Sequence, residues 1–166
     1  AVQHVSAQYY SWGADPARFR WMKAQTERST VIYPLHAQQI GRTTLYFNEV
    51  LKPHIGYGFT LPALDLPFVV HPENMRSNGL VMWLPKRVEF LSTPNVNSYA
   101  TPWIKQLVAH EYRHAVQYNN LNRGVVKGLS YLLGQQSSSI GLLFMLLWAI
   151  ERDAVLTETQ TSVFVR

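Results

Sequence analysis

Three side chains, His110, Glu111 and His114, stand in the order His-Glu-x-x-His within residues 107–117, Leu-Val-Ala-His-Glu-Tyr-Arg-His-Ala-Val-Gln. On an α-helix, positions four apart lie roughly 40° apart around the axis and about 6 Å along it. Two imidazoles so placed can reach one zinc ion, and the glutamate beside them is placed to hold a water on that metal. The same five letters also arise by accident on charged helices. The positioning of these residues therefore depends on the elements around them.

The flanking sequence predicts a helix. Thr101 and Pro102 offer an N-cap and a first helical residue. Ile104, Leu107, Val108, Ala115 and Val116 keep a helical period, and the pattern dissolves at Asn119-Asn120, with Gly124 beyond.

A catalytic zinc site takes three protein ligands and leaves one position open. With no cysteine in the chain, the third must be a histidine or a carboxylate. His4, His36, His54 and His71 are scattered upstream and read as surface or turn residues; His71, before Pro72, is the one to watch. Downstream, Glu151 directly follows an apolar run, where a lone charge is costly unless paired or bound to a cation. Glu158 lies two helical turns on, on the same face, where it can orient a ligand histidine. The plainer alternatives are a helix-start carboxylate favoured by the dipole at Glu151 and a solvated face at Glu158.

The rest of the chain reads as one ordinary domain. Its 166 residues are 47% hydrophobic and 15% charged, enough for a core and unlike a disordered chain. Fifteen Lys and Arg against ten Asp and Glu give +5, but the cations form no run and no groove-reading motif accompanies them. Nucleic acid is therefore not an expected partner. The absence of cysteine excludes a disulfide scaffold and says little about compartment.

Residues 1–25 are rich in aromatics and read as an arm packed over a body formed by 26–166; the chain as a whole reads as a piece of a longer protein. Strands are expected at 29–33, 68–71, 78–84 and 87–91, the last two joined through Pro85-Lys86. Helices are expected at 36–52, stopped by Pro53, and at 124–134, before a polar loop at 135–139. Residues 140–150 are apolar throughout but too few to span a bilayer, so a buried core helix is expected. This order predicts an α+β fold, with a small mixed sheet packed on the metal-motif helix and further helices C-terminal. Asn78, Gly79 and Val81 are the candidates for a sheet-edge strand to which an extended peptide adds, Gly79 permitting close approach; an interior hairpin strand is the alternative.

At Trp148, Glu151, Ala154 and Glu158, together with His110-Glu111-x-x-His114, the chain resembles the gluzincin metallopeptidases. It is also similar to the peptidase-like module that precedes a TolB-like β-propeller in exported bacterial proteins, on residues 21–34, 77–94, 110–117 and 151–159. The resemblance implies a zincin-like fold and one zinc ion held by His110, His114 and Glu151. It further implies Glu111 as general base, Glu158 behind the ligands, a peptide or protein substrate, and a periplasmic or envelope setting with a C-terminal propeller. Three departures stand out. Arg152 replaces the usual glycine after Glu151, 36 residues separate His114 from Glu151, more than in compact gluzincins, and no Tyr or His follows Glu151 to stabilise a tetrahedral intermediate, leaving Tyr112, Tyr131 or a residue outside this sequence. Zinc-dependent peptide hydrolysis is the leading expectation; a zinc-holding binding or scaffold module of the envelope that cleaves little is the alternative.

Overall fold

The computed structural model describes residues 15–62, 64–74, 77–83, 85–94, 102–121 and 147–164. Five strands, β1 (Trp21–Gln25), β2 (Thr30–Pro34), β3 (Pro67–His71), β4 (Ser77–Trp83) and β5 (Lys86–Ser92), form one mixed sheet in the order β1-β2-β3-β5-β4. Helix α1 (Gln38–Ile55) follows a short 3-10 turn, Leu35–Ala37; α2 is Trp103–Leu121 and α3 is Leu147–Phe164. The α+β expectation is met.

Pairing follows from connection length. The β1–β2 and β4–β5 pairs are antiparallel hairpins, whereas β2–β3 and β3–β5 are parallel. Parallel neighbours need a crossover, and α1 supplies it between β2 and β3. The β1–β2 turn is closed by Thr26, whose amide donates to the Ser29 carbonyl at 2.9 Å and whose hydroxyl accepts from the Ser29 amide at 3.1 Å. That hydroxyl also donates to Glu49 of α1.

Alternate residues of the sheet face the helices. Val31 and Tyr33, Phe68 and Val70, and Val88 and Phe90 join Phe47, Leu51 and Ile55 of α1 and Val108, Tyr112, Ala115 and Val116 of α2 in one core. Phe68 meets Phe90 and Tyr112 edge-on at ring separations of 5.1 and 5.3 Å. Each such ring contributes about 1.5–3 kcal/mol by burial. Gly41 lets α1 approach the sheet, because a Cβ there would overlap the Tyr33 ring.

Several boundaries differ from expectation. Helix α1 continues through Pro53 to Ile55. A proline in the last turn forfeits little of the hydrogen-bond ladder, and the buried Leu51 and Ile55 hold that turn on the core. Within the span expected as an arm, Trp21–Gln25 is an edge strand with little apolar alternation to announce it. Helix α2 begins one residue later than read, the Pro102 carbonyl accepting from Lys105 and Gln106 at 2.9 and 3.2 Å. At the end of the apolar run, Trp148 is 59% exposed and Ala149 is also exposed, so the described start of α3 is not a core segment. Residues 1–14, the helix expected at 124–134, the loop at 135–139, and 140–146 lie outside the described residues. No helix among the described residues is long and apolar enough to cross a membrane.

Candidate metal centre

Residues 111–117 of helix α2 are all buried. The helix packs on α1, on α3 and on strand β4. His110 and His114 project from it toward α3, and Glu151 reaches back from the first turn of α3. The Nε2 atoms of the two histidines are 3.1 Å apart; His110 Nε2 lies 3.4 Å from one Glu151 oxygen and His114 Nε2 lies 3.5 Å from the other. Among the described residues, these three form the one group whose donor atoms converge closely enough to hold a metal ion. Glu158, two turns further along α3, stands 3.7 Å from His110 Nδ1, an ion-pair contact too long for a hydrogen bond.

The electrostatics separate the two histidines. Burial opposes a charge on His110, but Glu158, Glu111 and Glu151 outweigh it and raise its pKa. Burial dominates at His114 and, with the His110 charge, lowers its pKa against the opposing effects of Gln117, Glu151 and Asp153.

Glu111 occupies a drier place. It is only 5% exposed, and burial pushes its pKa up to about 7, with the Glu151 charge adding to the rise and His110 opposing it. Its side chain lies directly against Gly79 of β4, where a Cβ would overlap Glu111 Cγ and the carboxyl group. Strand β4 lies at an edge of the sheet among the described residues. Gly79 and Val81 share the face turned to α2, and Val81 packs against the core. Asn78 belongs to the opposite face and is exposed, its Oδ1 accepting from the Gly79 amide at 2.9 Å.

Other candidates fall away from this centre. Tyr112 is buried in the core and donates its hydroxyl to the Leu64 carbonyl at 3.1 Å, which removes it as a group that meets an intermediate at the metal. Tyr131 lies outside the described residues, as does His4. His71 is not a turn residue: it is buried at the end of β3, with Nδ1 2.6 Å from Asp15. His36 faces Glu73 at 3.4 Å, and His54 ends α1. Arg152 is exposed.

A chain of polar contacts absent from the sequence reading stands behind His114. Its Nδ1 meets Gln117 Oε1 at 2.8 Å, and Gln117 Nε2 donates to Asp153 Oδ2 at 2.7 Å and to the Ile150 carbonyl at 3.1 Å. Arg113 grips Asp153 through two bonds of 2.7 and 2.9 Å. It also donates to the Ile55 and Tyr57 carbonyls at 2.6 and 2.8 Å and lies over the Phe59 ring. The available signal was a Gln and an Arg on helix positions bracketed by residues of an apolar face. Tyr118 was also passed over; it is half-buried one turn beyond His114, and burial followed by the Glu111 and Glu151 charges raises its pKa.

Compared with family models, curated proteins and solved structures, the chain matches none.

Proposed function

We propose that this domain is a zinc-dependent peptidase of zincin-like architecture, with His110, His114 and Glu151 as ligands. The observation that carries the reading is the convergence of the three residues: one donor atom from each lies within 4.8 Å of the other two. Ligand atoms about 2.0–2.2 Å from a tetrahedral zinc lie about 3.3–3.6 Å from one another. The two Nε2 atoms are 3.1 Å apart, and Glu151 approaches them through different oxygens, at 3.4 and 3.5 Å. Imidazole nitrogens and a carboxylate are also the donor types that suit zinc. Bound there, zinc supplies Lewis-acid polarisation of a carbonyl and acidifies water.

The chain's own residues supply the remainder. Glu111, dry and raised toward neutrality, takes a proton from the attacking water as its oxygen adds to the carbonyl carbon. It returns that proton to the amine as the C–N bond breaks. Tyr118 shares the Glu111 face of α2, seven residues on, and in this reading its phenol donates to the oxyanion. The β4 edge offers backbone groups to an extended peptide.

Turnover of a mixed peptide library by zinc-loaded protein tests the reading, with Glu111→Gln expected to abolish it and to keep its zinc. Equal turnover by both proteins would sink the mechanism. The exposed Arg152 beside the third ligand favours a second reading, a zinc-holding binding module. Full zinc occupancy without cleavage across the library would establish that instead.

A further inference from the structure

The contacts behind His114 fix more than its position. An amide side chain can sit either way round, and which end faces a histidine decides which ring nitrogen carries the proton. Here the choice is forced. One end of Gln117 faces Asp153 Oδ2 and the Ile150 carbonyl, both of which only accept, so that end is the NH2 group. The other end, facing His114 Nδ1, is then the carbonyl oxygen and must receive a proton. Both Asp153 oxygens accept from Arg113, and the Ile150 carbonyl has no proton to give. Arg113 is pinned in turn by carbonyls at the end of α1 and just beyond it.

We propose that Gln117 is a positioning residue for the metal centre: it holds the His114 proton on Nδ1 and so presents the Nε2 lone pair to the ion. Asp153 and Arg113 set the sense of the Gln117 amide, which ties the donor to the far end of α1 through four side chains on two helices. The inference rests on the metal reading above. It adds that His114 is prepared as a ligand before any ion arrives. Without Gln117, the neutral ring is free to place its proton on Nε2, which must then be displaced for binding to occur.

The decisive measurement is the His114 tautomer in metal-free protein at pH 8, read by long-range 1H–15N NMR of histidine-labelled samples. A proton on Nδ1 in the wild type is expected, and a proton on Nε2 overturns the proposal without any variant being made. In Gln117→Leu the ring should shift toward the Nε2–H form, and zinc affinity measured by chelator competition should fall about 10- to 100-fold. A folded Gln117→Leu with unchanged tautomer and unchanged affinity also overturns it. In Gln117→Glu combined with Asp153→Asn, the carboxylate still accepts from Nδ1 and the new amide at position 153 supplies a donor to its other oxygen, so the Nδ1–H form should persist. A shift to the Nε2–H form in that double variant counts against the assignment. Wild type with the proton on Nδ1 but no affinity for zinc overturns the metal reading and leaves the tautomer assignment standing, so the two failures are told apart.

Discussion

Glu111 illustrates what a single side chain costs. A carboxylate with 5% exposure gives up most of its hydration, and the missing side chain of Gly79 leaves room for it. In metal-free protein near pH 8, Glu111→Gln should raise thermal stability, by about 1–3 kcal/mol, because an amide is cheaper to bury than a charge. Gly79→Ala should act in the opposite direction. The new methyl meets the Glu111 side chain, and overpacking of this kind costs about 1–3 kcal/mol. Denaturant titration of Gly79→Ala, Glu111→Ala and the double variant forms a cycle, and the double variant should lose less than the sum of the singles. Strict additivity would mean that the two residues do not press on each other.

At the scale of elements, the β1–β2 turn is fastened to α1 through Thr26 and Glu49. The Thr26 hydroxyl, more than the nearby Ser29, Lys52 and Arg28, holds the Glu49 carboxyl below its ordinary pKa against the effect of burial. A depressed carboxylate stabilises the fold above its unfolded pKa and loses that contribution as pH falls through the folded one. Stability should therefore decline on the acid side of the carboxylate range, and Glu49→Gln should flatten that limb of a plot of Tm against pH. An unchanged limb would show that the contact is not formed in solution. Strands β2, β3, β4 and β5 and the core of α2 were legible in sequence because β-branched runs and a 3.6-residue period report burial directly. Strand β1 was not, since Trp-Met-Lys-Ala-Gln, an edge strand among the described residues, is largely exposed and carries no alternation. The end of α1 was misread because Pro53 is a local signal, whereas Leu51 and Ile55 answer to the core.

At the scale of the whole molecule, the candidate centre joins parts distant in sequence. His110, Glu111 and His114 were readable because helical spacing is local, whereas Glu151 was reached from the acid after an apolar run although its side chain is 60% exposed and is not the buried charge that reading assumed. The Arg113–Asp153–Gln117 contacts were not readable, since they join residues 36 or 40 positions apart, and Arg113 reaches carbonyls 56 and 58 positions away, so no period reports them. An ion held between α2 and α3 stabilises only the assembled form. Zinc at a hundred times its Kd should therefore add about 2.7 kcal/mol. Chelation should lower Tm in the wild type and have no effect in His114→Ala or Glu151→Ala. A chelator effect retained in both variants would place the metal elsewhere.

The position of Gly79 within β4 also gives the proposed cleft a direction. A peptide adding antiparallel to β4 runs in the same sense as β5, so its N-terminal portion lies along the later residues of the strand. Beyond Gly79, where Glu111 sits, β4 extends four residues on that side and two on the other. The grip is lopsided, stronger on the acyl half of the substrate than on the half that leaves as amine. In a series of peptides shortened from either end, trimming residues from the N-terminal side of the cleaved bond should raise KM more steeply than trimming the same number from the C-terminal side.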